Sequence, residues 1–355
     1  MKYILSNSQF FHQKFGGVTR YSINLFNSLL NKKQNIDIIA PLYKNRFLKE
    51  INKKNVNGIY LAKYPNIKPL RILNNFFLKK KLNNVDIETV HDCYYPESLI
   101  KTKAKKILTI HDLIHEKRPS EYKNIDFEFR KKVFENTDEF ICVSQKTKND
   151  LIQFYNLNEK KIHVIYHGSD HVHEIPNIEL NFNFLKDPYL LYVGSRKKYK
   201  NFNLLLNVFL NSKIIYKDFK IVCFGNEEID NQKEKELYDK KKLILIKGDD
   251  SILKKLLIHS AGLISTSNDE GFGLPILESM TLGCNVFAPN IEVFKEIYKD
   301  KVFFYEKDET ESLKENLEKH LYSPELLNEK KISAREYAAN FNWDKTASQT
   351  LETYR

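Results

Sequence analysis

Residues 270–278 read EGFGLPILE, two carboxylates with seven residues between them around a Gly-x-Gly. An apolar run, AGLIST, precedes this stretch and another, PILESMTLG, overlaps its end, which predicts a strand, a glycine turn and a helix. The amino end of a helix carries unpaired N–H groups and a partial positive charge, and glycine lets a phosphate approach the backbone closely. The stretch therefore predicts an α/β unit that binds a phosphorylated, hydroxyl-rich ligand such as a nucleotide sugar.

The same alternation of strands and helices continues along the chain on both sides of this stretch. Most strand-like runs are continuously apolar, among them PYLLYVG and FKIVCFG, as is typical of parallel sheets covered on both faces. The alternation pauses at about residues 168–188, a polar stretch with two prolines that we interpret as a linker. We therefore predict an α/β protein of two doubly wound, Rossmann-like units facing a common cleft, with ligands beyond the carboxyl ends of the strands.

Composition restricts the class of protein and its compartment. The 355 residues carry a formal net charge of +11, which favours anionic partners, although a lysine-rich surface is an equally good explanation. No run reaches the roughly 18 apolar residues of a membrane-spanning helix, and the amino terminus is too polar for a signal peptide. The four scattered cysteines lack zinc or redox spacing, so we expect a reduced, cytoplasmic protein. No nucleic-acid readout motif accompanies the positive charge, so we expect no nucleic-acid partner.

A basic loop follows the strand-like run PYLLYVG and precedes a helix-like run. It contains Arg196, Lys197, Lys198 and Lys200, whose charges suit a diphosphate that gains negative charge as it departs. A solvated basic loop is the alternative, and the position between strand and helix favours phosphate binding. Gly16 and Gly17 lie between the first strand and the first helix, a weaker indication of the same kind.

Histidines end two strands of the first unit, in His91-Asp92 and His111-Asp112. A histidine at such a strand end could exchange a hydrogen bond with a sugar hydroxyl, although a structural role is commoner for any single histidine. His115 could join His111 as a metal ligand, but no third ligand is evident, and we expect no metal.

Residues 67–84, IKPLRILNNFFLKKKLNN, are both basic and strongly apolar. This composition suits a helix on an anionic membrane surface. The alternative, slightly preferred from sequence, is an amphipathic helix packed on the sheet with its lysines in water.

Taken in order, several motifs resemble one family. They are FGGV, HDLIHEKRP, ICVSQKTKNDL, VIYHG, YVGSRKKYKN and EGFGLPILESMTLG, spread over nearly the whole chain. The chain resembles the retaining nucleotide-sugar glycosyltransferases of the GT-B fold, in the group with an E-x7-E motif (glycosyltransferase family 4, glycosyl transferases group 1). The resemblance implies an acceptor domain over 1–175, a linker over 176–187 and a donor domain over 188–335. It further implies a helix over 336–355 that returns to the first domain.

The resemblance also implies roles for matched residues of the second domain. Arg196 and Lys200 match the basic pair that holds the donor diphosphate, although many relatives have Arg-Lys-Asn where this chain has Tyr199-Lys200-Asn201. Glu278 matches the carboxylate expected to bind the donor ribose. Glu270 matches the carboxylate expected against the donor sugar and is assigned a catalytic role. The amides of residues 272–274 (Phe272, Gly273 and Leu274) are expected to contact phosphate or sugar.

In the first domain, Gly16 and Gly17 match a glycine loop at the donor, and His111 matches a catalytic histidine near the transferred sugar. Relatives need no metal, and the departing phosphate is thought to assist deprotonation of the acceptor, so the resemblance implies no cofactor and no separate nucleophile. It favours a GDP-mannose-type donor and a lipid-linked acceptor of bacterial O-antigen or capsule synthesis, at the cytoplasmic face of the inner membrane. The alternatives are a UDP-sugar donor, a phosphorylase or epimerase of the same fold, and a binding module without catalysis.

Overall fold

The computed structural model of this chain describes residues 2–83, 86–179, 183–196, 198–225 and 228–355. Lys197, one of the predicted phosphate contacts, lies outside those ranges, as do parts of the 67–84 segment and of the 176–187 linker.

The strands form two parallel sheets. Those of the first sheet are β1 (Tyr3–Ser6), β2 (Ile36–Tyr43), β3 (Val56–Tyr60), β4 (Thr89–Asp92), β5 (Lys105–Ile110), β6 (Glu139–Cys142) and β7 (Ile162–Val164). Those of the second are β8 (Tyr189–Val193), β9 (Lys220–Phe224), β10 (Leu243–Ile246), β11 (Gly262–Ile264), β12 (Val286–Pro289) and β13 (Phe303–Tyr305).

Helices connect the strands in both halves. The first half contains α1 (Gln9–His12), α2 (Gly17–Asn31), α3 (Arg46–Glu50), α4 (Lys68–Asn83), α5 (Ile114–Lys117), α6 (Phe127–Glu135) and α7 (Gln145–Tyr155). The second contains α8 (Phe202–Asn211), α9 (Lys213–Asp218), α10 (Gln232–Asp239), α11 (Asp250–His259), α12 (Leu274–Thr281), α13 (Glu292–Tyr298), α14 (Thr310–His320) and α15 (Pro324–Ala338). The last helix is α16 (Trp343–Tyr354).

The six strands of the second sheet follow the same order as the first six positions of the first sheet, which confirms the prediction of two doubly wound units. The first sheet runs β3-β2-β1-β4-β5-β6-β7 and the second β10-β9-β8-β11-β12-β13. All strands run parallel, and the direction in which successive strands are added to the sheet reverses between β1 and β4 and between β8 and β11. Such switch points create a ligand crevice at the carboxyl ends of the strands, because the two flanking loops diverge to opposite faces.

The chain divides into two compact units. Unit 1 comprises Met1–Gly168 and Trp343–Arg355, and unit 2 comprises Ser169–Asn342. The chain first passes from unit 1 to unit 2 between Gly168 and Ser169, upstream of the linker expected at 176–187. The helix expected over 336–355 is interrupted: α15 ends at Ala338, where Asn340 donates a side-chain hydrogen bond to the Tyr337 carbonyl, and α16 begins at Trp343. Side-chain amides that bond to nearby backbone in this way compete with helix continuation.

Helix α16 completes the core of unit 1, although it follows unit 2 in sequence. Trp343, Ala347 and Tyr354 are buried with the apolar side chains of β1 and α2. His91 is fully buried and bonds to the Tyr354 hydroxyl at 2.9 Å and to Thr109 Oγ1 at 2.7 Å. Burial lowers the pKa of His91 to about 3, with His111 a smaller cause, so His91 is neutral. Its hydrogen bonds therefore connect Tyr354 of α16 to strands β4 and β5.

Helix α4 buries one side only. Asn74 and Leu82 are its buried residues, and Asn74 Oδ1 accepts a hydrogen bond from the Leu42 amide. Four large apolar side chains on α4 are instead at least 41% exposed: Ile72, Leu73, Phe76 and Phe77. The helix therefore packs on the sheet, as the preferred alternative expected, yet it leaves an apolar and basic face in water. Among the described residues, no helix is long and apolar enough to cross a bilayer.

Candidate functional site

The predicted donor residues of unit 2 occupy the two loops beside its switch point and the helix α12 that follows the second loop. One loop follows β8 and carries Arg196 and Lys200, and the other follows β11 and carries Glu270. The loops are joined through backbone and side chains: the Asn268 amide donates to the Tyr199 carbonyl at 2.7 Å, and Thr266 Oγ1 donates to the Lys200 carbonyl at 2.7 Å. The structure thus brings together residues that are 70 positions apart in sequence.

Lys200 and Glu270 form the central contact of this pair of loops. Lys200 Nζ lies 2.5 Å from Glu270 Oε1, with the two side chains 23% and 16% exposed. Enough of each side chain reaches solvent for a ligand to contact them. A lysine ammonium has three donors, so it can bind a carboxylate and a phosphate oxygen together.

The side chain of Arg196, the second predicted diphosphate ligand, is buried against α10 and not beside Glu270. Its guanidinium contacts Glu234 of α10, with Nη2 3.3 Å from Oε2 and both side chains 2% exposed. Nη2 also donates to the Glu228 carbonyl at 2.5 Å. In this arrangement the carboxylate of Glu234 fixes the guanidinium. Its role as a phosphate ligand stays a prediction.

The glycine turn before α12 supplies the helix amino end that the sequence predicted. Gly273 is the N-cap residue and has φ +92°, the left-handed region that favours glycine. A Cβ at this position would lie 2.7 Å from Phe294 Cε1, so a side chain would be strained and crowded. Leu274 and Pro275 then open the helix, where proline is well tolerated because its missing N–H would have no helical partner.

Glu278 lies in α12, whose residues 276–281 are all buried, and is 3% exposed. His171 Nε2 lies 3.3 Å from Glu278 Oε1. The contact joins residues from the start of unit 2 and from α12, and nothing in the local sequence pattern indicates it. The ribose-binding role of Glu278 stays a prediction.

In unit 1, His111 follows β5 and is surrounded by aromatic rings. Its ring stacks on that of His167, with centroids 5.7 Å apart, and meets the edge of Tyr21 at 4.9 Å. His111 Nε2 lies 2.9 Å from the Cys93 carbonyl, which can only accept, so Nε2 carries the proton. Burial lowers the pKa of His111 to about 4, opposed by this hydrogen bond. The neutral ring therefore presents Nδ1 as an acceptor, which suits a sugar hydroxyl.

The two glycines lie at the start of α2. Gly17 is its first residue, and the carbonyl of Gly16 accepts a hydrogen bond from Thr19 Oγ1 at 2.9 Å. His115, considered above as a metal ligand, lies 2.9 Å from Arg130 Nη2 and packs on Tyr122. Within the described ranges, no group of three or more His, Cys, Asp or Glu side chains is placed to hold a metal ion.

Two family models match the chain in succession. Glycosyltransferase Family 4 matches residues 15–172, and Glycosyl transferases group 1 matches residues 174–338. The chain belongs to the GT-B glycosyltransferases. A glycosyltransferase structure from Rickettsia africae has the same fold, with a TM-score of 0.71 and 20% identity over 99% of this chain and 97% of that one.

Three relatives are about a quarter identical to this glycosyltransferase over the aligned residues. An uncharacterized glycosyltransferase of Methanocaldococcus jannaschii is 26% identical, over 97% of this chain and 95% of its own. The O-antigen chain mannosyltransferase RfbU of Salmonella typhimurium is 25% identical, over 67% of this chain and 65% of its own. An N-acetylgalactosaminyltransferase of Campylobacter jejuni, named for a diphospho-undecaprenol acceptor, is 26% identical, over 62% of this chain and 60% of its own.

Two residues near the loops after β8 and β11 were not found by sequence reasoning. Glu234 lies in α10 within a lysine-rich run, and Tyr298 ends α13 in an ordinary amphipathic pattern. Glu234 carried one recognisable signal: it is the third residue of a helix capped by Asn231, where a glutamate often reaches back to the backbone. Tyr298 carried none, because its partners are backbone carbonyls 25 and 26 residues earlier.

Proposed function

We propose that this chain is a retaining glycosyltransferase that uses a nucleotide sugar, preferably of the GDP-mannose type, and a lipid-linked oligosaccharide acceptor. The product would be O-antigen, capsule or another bacterial surface polysaccharide. The observation that carries the proposal is the Lys200–Glu270 pair beside the glycine turn of α12. The names of the Salmonella and Campylobacter relatives, a mannosyltransferase and a transferase to a lipid diphosphate acceptor, support the donor and acceptor classes.

The donor diphosphate would be held by charge and by backbone amides. Lys200 and Arg196 supply positive charge, and the amides of Phe272, Gly273 and Leu274 supply oriented N–H groups at a helix amino end. Glu278 would accept hydrogen bonds from ribose hydroxyls. These groups interact most strongly with the diphosphate as its charge increases, so they favour departure of the leaving group.

Transfer would proceed on the face of the sugar from which the diphosphate leaves. The bond between the anomeric carbon and the phosphate oxygen breaks, the acceptor hydroxyl oxygen bonds to that carbon, and its proton passes to the departing phosphate. No protein nucleophile is required. Glu270, held by Lys200, would stabilise positive charge on the sugar, and neutral His111 would accept a hydrogen bond from a hydroxyl of the transferred sugar. Gly16 and Gly17 would leave room for the donor at the start of α2.

Contact with the cytoplasmic face of the inner membrane would bring the protein to a lipid-linked acceptor. The exposed face of α4 combines Phe76 and Ile72 with Lys79 and Lys80. Apolar side chains enter the boundary between headgroups and acyl chains, while lysines interact with anionic lipids.

The test compares Glu270→Gln and Lys200→Ala with wild type and with Glu325→Gln, an exposed glutamate of α15, as the matched control. Each protein receives GDP-mannose or UDP-N-acetylgalactosamine and lipid acceptors extracted from bacterial membranes. We expect kcat to fall by about 10²–10³-fold in both site variants, the usual loss when one electrostatic contact to a transition state is removed. NMR of the product should show that the anomeric configuration of the donor is kept.

Unchanged turnover in both site variants would contradict the site assignment. Transfer from the UDP-sugar alone would identify the alternative donor class. Nucleotide binding without transfer to any acceptor would favour the non-catalytic binding module, and an inverted product would exclude the retaining mechanism.

A further inference from the structure

Tyr298 is a fully buried residue at the end of α13, and its hydroxyl lies against the glycine turn before α12. The hydroxyl oxygen is 2.9 Å from the Phe272 carbonyl and 2.8 Å from the Gly273 carbonyl. One hydroxyl proton is therefore shared between two successive carbonyls. Such three-centre hydrogen bonds are common at helix ends.

The directions of these two carbonyls determine the directions of the two N–H groups that follow them. In a trans peptide, the carbonyl of one residue and the N–H of the next point in opposite directions. The Phe272 and Gly273 carbonyls both face the Tyr298 hydroxyl, so the N–H groups of Gly273 and Leu274 point away from it. The Gly273 carbonyl also accepts from the Ile276 amide at 2.8 Å, whereas the Phe272 carbonyl accepts from Tyr298. These are two of the amides that the proposed function places on the donor diphosphate.

The surroundings keep the tyrosine in place and in its donor form. A Cβ on Gly273 would lie 3.2 Å from the hydroxyl oxygen, so the turn and the hydroxyl are fitted closely. Burial raises the pKa of Tyr298 well above its ordinary value, and the negative charges of Glu270 and Glu278 raise it further. The hydroxyl therefore stays protonated and lies close enough to both glutamates to experience their charge.

We propose that Tyr298 is a positioning residue that aims the Gly273 and Leu274 amides at the phosphates of a nucleoside diphosphate. The inference rests on the proposed function, because it assumes that this turn binds the donor diphosphate. It predicts that the hydroxyl of Tyr298 matters for binding of phosphate groups and not for binding of the nucleoside.

The experiment measures dissociation constants of wild type, Tyr298→Phe and Tyr189→Phe for GDP, UDP, guanosine and uridine. Phenylalanine keeps the ring that packs 5.7 Å from Phe294 and removes only the hydroxyl. Tyr189 is the matched control, since its buried hydroxyl also donates to a backbone carbonyl, that of Leu256, at 2.7 Å. Tyr189 is the first residue of β8, at the end of the strand away from the loop that carries Lys200. We expect Tyr298→Phe to weaken diphosphate binding about 3- to 10-fold, the range for one hydrogen bond, with nucleoside binding unchanged. Tyr189→Phe should bind all four probes as wild type does.

A purely structural role would lower the melting temperature of both variants without changing the ratio of diphosphate to nucleoside affinity, and that result would overturn the inference. Wild type that binds neither GDP nor UDP would overturn the proposed function and the inference together. A second measurement needs no variant: in the amide NMR spectrum of wild type, Gly273 and Leu274 should shift with GDP or UDP and not with the nucleosides. Absence of those shifts during diphosphate binding would overturn the inference alone.

Discussion

Arg196 and Glu234 form a buried ion pair. The pair fixes the position of the Arg196 guanidinium, which the sequence predicts to bind a phosphate. Glu234 contacts the guanidinium, the Asp230 amide at 3.0 Å and the Asn231 side chain at 3.3 Å, so it has several partners of its own. A buried charge without its partner is costly because little solvent compensates it. Glu234 therefore sets both the position of Arg196 and the start of α10.

We expect Glu234→Ala to destabilise the protein by about 3–5 kcal/mol, the usual cost of removing one partner of a buried ion pair. The comparison is Glu236→Ala, in the same helix, whose exposed pair with Lys240 should contribute little to stability because solvent screens it. Urea unfolding followed by circular dichroism measures both changes. Equal, small losses for the two variants would show that the Arg196–Glu234 pair is not held as tightly as its burial indicates.

At the scale of elements, α4 has two sides with different partners. Its inner side holds Asn74 and Leu82 against the sheet, and Arg71 lies 3.2 Å from Glu97 in the loop after β4. Its outer side is apolar and basic and is exposed to water. A single helix can therefore satisfy both interpretations of residues 67–84, because packing uses one face and leaves the other available.

We expect Phe76→Ser to weaken binding to vesicles containing anionic phospholipid by about 10-fold or more, since burial of a phenylalanine contributes about 1.5–3 kcal/mol. The control is Ile332→Ser on α15, which removes an apolar side chain of similar exposure, 52% against 59%. Flotation at low and high salt should also show weaker binding as salt screens the lysines. Equal binding by both variants, or no binding by wild type at low salt, would exclude α4 as a membrane contact.

Much of the element pattern could be predicted because it depends on local composition. Continuous apolar runs indicated parallel strands, and EGFGLPILE indicated a strand, a turn and a helix beside the second switch point. Contacts made by single side chains across long sequence separations could not be predicted. Arg196 and Glu234 are 38 residues apart, and either could equally have been a surface residue. The break between α15 and α16 was also missed, because residues 339–342, ANFN, contain neither glycine nor proline.

At the scale of the whole molecule, the chain leaves unit 1, forms unit 2 and then returns to unit 1 with its last helix. The returning helix contributes large side chains to a core that the first 168 residues do not fill. Trp343 packs against Tyr21 and His167, and Ser28 Oγ donates to the Trp343 carbonyl at 3.0 Å. Stability of unit 1 therefore depends on residues that are synthesised after unit 2.

We expect a chain that ends at Asn342 to keep unit 2 folded and to lose stable folding of unit 1. Loss of buried Trp343 and Tyr354 should cost about 3–5 kcal/mol for each large aromatic, which together approach the 5–15 kcal/mol of total stability typical of a protein. Limited proteolysis with mass spectrometry should recover a protected fragment close to 169–342 while residues 1–168 are digested.

The full chain with exposed Glu352 changed to alanine is the control and should resist digestion in both units, because α16 still fills the core. Protection of residues 1–168 in the shortened chain would show that unit 1 folds without α16, and its buried contacts would then be dispensable for the fold.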